Sequence, residues 1–370
     1  GVEMLEEQNG VTIVEGEASF RGEKTLHITT EEEGKRLEFE HCIIATGSTP
    51  IELPGASFDG ESVISSREAL QLEEIPRKLV VVGGGYIGME LGTVYQKLGS
   101  QVTVIEAKER ILPRNNEEAA SIVRERAEEL GMDIRTGTEV DSVDVADDEA
   151  TVTTEAESIE ADKVLVAVGR HPRTDGLGLD SAGVTKDDNG FIEVDETLQT
   201  SNDRVYAIGD VADQPMLAHK ASKEGKIAAE AISGRKSAKD YQAVPACVYT
   251  DPEIAETGMS EEEAREAGYD VVTGTFSLSA NGRALTMNET EGFVKLIATA
   301  DDHLLLGATI CGPHASELIP ELTLAIEMSA FVEDIALTIH PHPTLTEAVQ
   351  EAAEDLLGHP THRYRRDTGE

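Results

Sequence analysis

The sequence contains no tryptophan, few aromatic residues, few basic residues and only three cysteines. No apolar run approaches the ~20 residues that an α-helix needs to cross a bilayer, so we do not expect a membrane protein. The cysteines, Cys42, Cys247 and Cys311, lie far apart and form no CxxC pair. This spacing argues against a zinc site and against a redox pair that is local in sequence. Each cysteine is predicted to be a small buried apolar residue.

Basic residues are so scarce that the charge balance excludes two classes of partner. With 31 Lys and Arg against 72 Asp and Glu, the formal net charge is −41 at pH 7. Such a field repels nucleic acid and anionic membranes, so neither is expected to bind. The acidic residues are spread along the whole chain, in runs such as 31–33, 73–74, 147–149 and 261–263. This pattern resembles the proteins of salt-loving organisms, the alternative being an ordinary acidic cytosolic protein.

The segment 79–106 has the order strand, glycine turn, helix, strand, which is the fingerprint of a dinucleotide-binding site. The turn consists of Gly83, Gly84, Gly85, Tyr86, Ile87 and Gly88. Its glycines let a pyrophosphate approach the backbone at the start of the helix, where free N–H groups favour anions. Glu106 ends the second strand, 18 residues after Gly88. A carboxylate there would bind the adenosine ribose hydroxyls and repel a 2′-phosphate, so NAD is preferred over NADP.

Two strand exits of similar construction suggest two nucleotide-binding sheets. Residues 42–50 and 164–172 each contain an apolar strand that ends in glycine, with proline within three residues. Other predicted elements before residue 244 are a helix over 117–130, a strand over 132–135, a hairpin of 139–145 and 150–154, strands over 164–168 and 204–210, and a helix over 218–232. Later ones are strands over 247–250, 271–278, 292–299 and 304–310, helices over 316–329 and 345–357, and a tail from 359. The predicted fold class is α/β, with two Rossmann-like nucleotide-binding domains followed by a C-terminal α+β domain.

A carboxylate at another strand exit is a further candidate ligand residue. Asp210 closes the strand over 204–210 and could bind a ribose or ribityl hydroxyl. The amide of Ala218, at the head of the next helix, could face an oxygen that gains negative charge, such as a flavin carbonyl on reduction. On the residues alone, Asp210 is equally well a helix N-cap or a turn residue.

The segment 340–347, HPHPTLTE, opens the last helix and holds a candidate acid–base pair. A histidine acts as a base when one ring nitrogen has an orienting acceptor, and Glu347 can supply one to His342. Two other interpretations are open. His340 and His342 could be a metal pair, although no third ligand stands at a sensible spacing. They could also be simple turn residues, which the spacing alone favours.

Seven motifs in order resemble the pyridine-nucleotide disulfide oxidoreductases, and within that family the branch that oxidises dihydrolipoamide. They are ATG at 45–47, GGGYIGME at 83–90, VIE at 104–106, VGRHP at 168–172, AIGD at 207–210, MLAHKA at 216–221 and HPHPTLTE at 340–347. The resemblance implies an incomplete FAD-binding domain at 1–50 and 172–241, an NAD-binding domain at 51–171 and a dimerisation domain at 242–370. It also implies a cytoplasmic homodimer.

The resemblance implies roles for individual residues. The turn 83–88 and Glu106 would hold NAD, and its nicotinamide side would be lined by Ala167, Val168, Gly169 and Arg170. FAD would contact Ala18, Ala45, Thr46, Gly47, Asp210 and Ala218. His342 would be the acid/base and Glu347 its partner, acting in the active site of the other subunit. The implied substrate is dihydrolipoamide on the lipoyl domain of a 2-oxoacid dehydrogenase or glycine cleavage complex, with electrons passing through a redox disulfide and FAD to NAD.

The chain departs from the family in one respect. The first flavin-binding GxGxxG and the redox cysteine pair, normally near the start, are not in the sequence. We expect them to precede Gly1, which lies within what reads as structure. The alternatives are another FAD-dependent disulfide reductase, a soluble transhydrogenase of the same fold, or a redox-dead flavoprotein scaffold. Glu106 argues against NADP-dependent members, and the HPHPTLTE ending favours the dihydrolipoamide branch.

Overall fold

The computed structural model describes residue 4 and residues 8–30, 34–146 and 149–362. Their strands are, in chain order, β1 (Glu17–Gly22), β2 (Thr25–Thr29), β3 (Gly34–Glu38), β4 (Cys42–Ile44), β5 (Ser48–Pro50), β6 (Val63–Ile64), β7 (Lys78–Val82), β8 (Gln101–Ile105), β9 (Asp133–Arg135), β10 (Val140–Ala146), β11 (Glu149–Thr154), β12 (Ser158–Ala161), β13 (Lys163–Val166), β14 (Arg170–Pro172), β15 (Val205–Ala207), β16 (Ala246–Val248), β17 (Glu253–Gly258), β18 (Val271–Ser277), β19 (Phe293–Thr299) and β20 (Leu305–Gly312). Their helices are α1 (Ser66–Ala69), α2 (Tyr86–Leu98), α3 (Glu117–Glu129), α4 (Leu179–Ala182), α5 (Ala218–Ile232), α6 (Glu261–Glu266), α7 (Gly282–Met287), α8 (Ala315–Glu327), α9 (Val332–Leu337) and α10 (Glu347–Leu356), with one-turn 3-10 helices at Gly209–Val211 and Leu278–Ala280. These elements confirm the predicted α/β class.

The elements group into two compact units, one of residues 1–49 with 170–240 and one of residues 50–169 with 241–370. The division into three domains that the resemblance implies stays a prediction. Among the described residues, the helices are all too short or too polar to cross a membrane.

A five-stranded parallel sheet with the order β6-β13-β7-β8-β9 lies in the second unit. Its central strands are continuously apolar because both faces are covered, and Val80, Val81 and Val82 are each at most 5% exposed. The strand order reverses between β7 and β13. The carboxyl ends of β7, β8 and β13 therefore meet at one edge of the sheet, which is where α/β proteins bind nucleotides.

Helices α2 and α3 connect these strands and have clear boundary signals. Helix α2 begins at the glycine turn and ends at Gly99, which adopts a left-handed φ of 106°. Helix α3 begins at Asn116, whose side chain accepts a hydrogen bond from the Ala119 amide, with Glu117 and Glu118 in the first turn. Both helices confirm the predicted βαβ arrangement.

A smaller antiparallel sheet, β10-β11-β12, follows in the same unit. The predicted hairpin of 139–145 and 150–154 is confirmed, while residues 147 and 148 of its turn lie outside the described residues. The third strand, β12, was not predicted, because four residues are too few for a periodic signal. The strand predicted over 164–168 ends at Val166, before Gly169, whose φ is +146°.

The first unit contains an antiparallel meander, β1-β2-β3, a parallel pair, β15-β4, and the pair β14-β5. Its core includes Phe20, Ile44 and Val205. The strand predicted over 204–210 is shorter than expected and ends at Ala207, because Gly209, with a φ of +70°, turns the chain into a 3-10 helix. The predicted helix over 218–232 is confirmed by α5.

The C-terminal part of the second unit is an antiparallel sheet with the order β16-β17-β20-β19-β18, against which α8 and α10 pack. Strand β17 and helix α9 were not predicted. β17 was missed because Glu256 and Thr257 are polar yet lie in a covered strand, and α9 because six residues hardly exceed one turn. In the predicted tail, residues 363–370 lie outside the described residues, and the His362 amide donates to Glu351 Oε2 at 3.2 Å.

Candidate functional site

The glycines of the turn 83–88 are needed for different reasons. A Cβ on Gly83, whose φ is +108°, would lie 2.5 Å from the Ala167 oxygen, and a Cβ on Gly88 would lie 2.0 Å from the Gly83 oxygen. Both positions require glycine for the protein's own packing. A Cβ on Gly85 would meet no described atom within 4 Å, at a φ of −76° that any residue adopts. The missing side chain at Gly85 leaves open space at the head of α2.

That open space has the character of an anion site. Gly85 is the N-cap of α2, and the start of an α-helix presents backbone amides that the helix's own carbonyls do not reach. The first turn contains no acidic residue. In a helix of 13 residues, the aligned peptide dipoles favour a negative group at this end. The turn therefore fits the pyrophosphate of a dinucleotide.

Glu106 lies at the end of β8 beside this turn and is 9% exposed. Its Oε2 accepts a hydrogen bond from the Gly84 amide at 2.6 Å, and its Oε1 accepts one from the Lys108 amide at 2.9 Å. The two amides fix the carboxylate and leave it further acceptor positions. This geometry fits a carboxylate that receives hydrogen bonds from ribose hydroxyls.

The predicted nicotinamide-side run, 167–170, is divided by the structure. The Ala167 amide donates to the Val82 oxygen at 2.8 Å, so the start of the run lies beside the glycine turn. The Arg170 guanidinium instead donates from Nε to Ser48 Oγ at 2.7 Å and from Nη2 to the Ser48 oxygen at 2.9 Å. Arg170 thus belongs to the strand exit that follows β4.

Ser48 joins Arg170 to Asp210 and was not predicted as a site residue. Its hydroxyl donates to Asp210 Oδ2 at 2.6 Å while accepting from Arg170 Nε. The serine hydroxyl thus bridges the guanidinium and the carboxylate by two hydrogen bonds, and these two groups follow different strands. The sequence could have indicated Ser48 only by its position directly after the predicted site residues Ala45, Thr46 and Gly47.

The segment 45–47 is held by its own hydrogen bonds. Thr46 Oγ1 donates to the Arg173 oxygen at 2.8 Å, and the Arg173 amide donates to the Gly47 oxygen at 2.9 Å. A Cβ on Gly47, whose φ is +71°, would meet no described atom within 4 Å. Ala18 lies in β1 opposite Ile28 and is exposed, and its cofactor contact stays a prediction.

A buried ion pair on α5 holds Gly209, the residue before Asp210, and sequence reasoning missed it. Glu224 Oε2 accepts a hydrogen bond from the Gly209 amide at 2.7 Å, and Glu224 Oε1 lies 2.9 Å from Lys220 Nζ. The Lys220 and Glu224 side chains are 2% and 0% exposed. Their spacing of four residues is typical of solvated helix pairs, so only the fold reveals the burial. Ala218, the first residue of α5, lies at the same helix end.

His342 and Glu347 form the predicted contact. His342 Nδ1 lies 2.8 Å from Glu347 Oε1, and Glu347 Oε2 accepts from the Thr344 amide at 2.8 Å. The carboxylate selects the tautomer in which Nδ1 carries the hydrogen, which leaves a lone pair on Nε2. The His342 side chain is 77% exposed, so Nε2 is accessible. Burial acts to raise the pKa of Glu347, but the Thr344 amide and His342 outweigh it and the pKa lies below its ordinary value.

His340 does not share a site with His342. Its Nδ1 lies 3.0 Å from the Thr338 oxygen and its Nε2 lies 2.9 Å from Glu321 Oε1. Each histidine therefore has its own carboxylate partner. This arrangement replaces both open alternatives, a metal pair and plain turn residues, with two separate His–Glu pairs.

Comparison with known protein families accounts for most of the chain. The family model described as pyridine nucleotide-disulphide oxidoreductase matches residues 1–225. The model described as the dimerisation domain of the same family matches residues 244–353. The chain belongs to the pyridine nucleotide-disulphide oxidoreductases. This confirms the resemblance inferred from the seven motifs.

Relatives within this family include enzymes of halophiles. The chain is 51% identical to a dihydrolipoyl dehydrogenase of Halobacterium salinarum and 52% identical to one of Haloferax volcanii, in each case over 99% of this chain and 79% of the relative. Among solved structures it is similar to LpdA from Mycobacterium tuberculosis, with a TM-score of 0.88 and 28% identity, covering 95% of this chain and 79% of that one. It is also similar to an HOCl-induced flavoprotein disulfide reductase from Escherichia coli, with a TM-score of 0.86 and 27% identity, covering 95% and 83%.

The three cysteines of this oxidoreductase are unsuited to the redox step. Burial raises the pKa of Cys42 and of Cys247 to about 11, and that of Cys311 to about 12. All three are protonated thiols at neutral pH and poor nucleophiles. Cys311 is buried as predicted, but the prediction is wrong for Cys42 and Cys247, which are partly exposed. They lie on β4 and β16, which are edge strands of their sheets in the part of the chain that the structure describes.

Proposed function

We propose that the chain acts as a dihydrolipoyl dehydrogenase, oxidising dihydrolipoamide to lipoamide with electrons passing through a redox disulfide and FAD to NAD. The observation that carries the proposal is the His342–Glu347 pair, with its 2.8 Å contact and its exposed second nitrogen. The relatives named dihydrolipoyl dehydrogenase, about half identical over nearly the whole chain, support the choice of dithiol.

The pair suits proton removal from a dithiol. A free thiol has a pKa of about 8.5 and is mostly protonated at neutral pH. A base is therefore needed to form the thiolate that attacks the redox disulfide. His342 Nε2 takes the proton, and the Glu347 carboxylate stabilises the imidazolium that results. Bound FAD and NAD supply the electron acceptors, so that two electrons and one proton leave as NADH. The second proton of the dithiol leaves through His342.

The NAD site is assigned to the edge of the parallel sheet. The open space at Gly85 accommodates the pyrophosphate, and the first turn of α2 faces it with amides and a positive dipole end. Glu106 accepts from the ribose hydroxyls and disfavours a 2′-phosphate, which supports NAD over NADP. Ala167, Val168 and Gly169 follow β13 at the same edge and serve the nicotinamide side.

The FAD site is assigned to the first unit. Asp210 binds the flavin side chain, and its carboxylate is held by Ser48. Ala218 presents the start of α5 to the flavin ring, whose carbonyl gains negative charge on reduction. Ala45, Thr46 and Gly47 contact FAD after β4, and Ala18 contacts its adenine end. Arg170 positions Asp210 through Ser48. It also remains a member of the predicted nicotinamide-side run, 167–170.

The quaternary structure is assigned as a homodimer, in which His342 works in the active site of the partner. The match of residues 244–353 to a dimerisation domain supports this assembly. So do exposed apolar side chains in that region, among them Leu324 at 60%, Met328 at 71% and Ile339 at 94%. The domain bounds 1–50 with 172–241, 51–171 and 242–370 belong to the same proposal, as do a cytoplasmic location and a lipoyl domain as the carrier of the substrate.

A single substitution tests the function through its base. His342→Gln is expected to lower dihydrolipoamide oxidation by the full-length holoenzyme by about 10²–10⁴-fold, because no other group replaces Nε2. NADH-to-quinone diaphorase activity, which needs the cofactors but not the dithiol, is expected to persist. His303→Gln is the matched control, because His303 Nδ1 also lies 2.8 Å from a carboxylate, that of Glu333. Equal loss of both activities in His342→Gln would show that His342 is structural.

A further inference from the structure

The loop 338–346 carries His342 between α9 and α10 and contains no helix or strand. His342 is 77% exposed, so its own packing does little to fix its direction. Glu347 orients the ring, but the backbone that carries the ring must also be held. The loop therefore needs anchors on both sides of His342.

His340 is the anchor on the N-terminal side. Its side chain is 4% exposed, whereas its neighbour Ile339 is 94% exposed, which is the reverse of what their polarities predict. Nδ1 faces the Thr338 oxygen at 3.0 Å and Nε2 faces Glu321 Oε1 at 2.9 Å. Both ring nitrogens therefore lie within hydrogen-bond distance of an oxygen, and the contact with Glu321 ties the loop to α8.

Thr344 is the anchor on the C-terminal side. The backbone oxygen of Thr344 accepts a hydrogen bond from Asn281 Nδ2 at 3.1 Å, and Asn281 is 3% exposed. Asn281 is itself fixed, because its Oδ1 accepts from the Ala284 amide at 3.0 Å. In sequence, His342 thus lies midway between two held residues, His340, which contacts Glu321 on α8, and Thr344, which contacts Asn281 at the start of α7.

We propose that His340 and Glu321 are a positioning pair, which holds the loop so that His342 presents Nε2 to the dithiol. This inference rests on the proposed function, because it gives the pair no chemistry of its own. Glu321 acts on His340, His340 acts on the backbone of the loop, and only His342 meets the substrate. The His340–Glu321 contact thus supports the His342–Glu347 contact, which orients the base itself.

Glu321→Gln and His340→Asn test the pair, with Glu327→Gln as the matched control. Glu327 lies on the same helix, and its carboxylate accepts from the Gln242 and Ala243 amides at 2.8 and 3.1 Å, away from the loop. Each test variant is expected to lower kcat for dihydrolipoamide oxidation about tenfold, with KM within twofold and diaphorase activity unchanged. Glu327→Gln is expected to match the wild type. A KM effect without a kcat effect, or equal losses in all three variants, would overturn the inference.

A double-mutant cycle shows whether the pair acts through His342. In a His342→Gln background, Glu321→Gln is expected to cause no further loss of the residual dithiol oxidation, because the group being positioned is already gone. A further tenfold loss would overturn the inference by showing an independent role. A large loss in His342→Gln with none in Glu321→Gln also overturns it, but leaves the proposed function standing. No loss in His342→Gln would overturn both.

Discussion

Substituting the glycines of the dinucleotide turn separates their roles in packing and in binding. Gly85→Ala adds a Cβ where no described atom lies within 4 Å, at a φ of −76° that alanine adopts freely. Gly88→Ala adds the same atom 2.0 Å from the Gly83 oxygen. Both variants add one methyl group, at positions three residues apart, so each variant is the control for the other.

The expected magnitudes follow from these distances. Gly85→Ala should change the free energy of unfolding by less than about 1 kcal/mol, because the restriction that alanine places on the unfolded chain is opposed by its poorer fit to the N-cap position. It should weaken NAD binding at least tenfold, or about 1.4 kcal/mol, because the methyl group occupies the space of the pyrophosphate. Gly88→Ala should destabilise the fold by about 1–3 kcal/mol, since α2 must move away from the turn.

Two assays decide the matter. Thermal unfolding followed by circular dichroism in molar salt measures stability, and titration calorimetry with NADH measures affinity. The expected pattern is normal stability with weak binding for Gly85→Ala, and lowered stability for Gly88→Ala. Wild-type NADH affinity in a folded Gly85→Ala variant would refute the assignment of the pyrophosphate to this turn.

Three further predictions concern other parts of the fold. Glu106→Gln should lower the preference for NAD over NADP about tenfold, measured as the ratio of kcat/KM values, and an unchanged ratio would contradict the role of the carboxylate. Lys220→Met should destabilise the protein by about 3–5 kcal/mol, because it removes the cationic partner of the 0%-exposed Glu224, whereas Lys223→Met on the exposed side of α5 should change stability by less than about 0.5 kcal/mol. The folded-state pKa of Glu347 is depressed, so the stability that wild type holds over Glu347→Gln should be complete above the ordinary value of 4.5 and lost as pH falls through the lower folded value. A stability difference that instead grew on acidification would contradict the direction of that shift.

The parts of the fold that were predictable are those with a strong local period or a fixed chemical demand. The βαβ unit over 79–106 combines an apolar strand, a glycine turn and a helix, each specified by its own residues. The contact of His342 with Glu347 followed from the need of a base for an acceptor. These features depend on few long-range contacts.

The parts that were missed depend on tertiary context. Strand β17 carries Glu256, whose oxygens accept from Asn115 Nδ2 and the Asn116 amide, so its polarity is satisfied by a segment 140 residues away. The spacing of Lys220 and Glu224 is typical of a solvated helix pair, and only the packing of α5 buries both side chains. Ser48 joins Arg170 to Asp210 only because two strand exits approach each other. His340 looked like a turn residue, because Glu321 lies on another helix.

The most direct test of the central claim is a steady-state assay of the full-length holoenzyme in molar salt with dihydrolipoamide and NAD. The proposed function predicts NAD-dependent oxidation of the dithiol, with NADP much the poorer acceptor. Absence of this turnover, together with NADPH-dependent reduction of another disulfide, would contradict it.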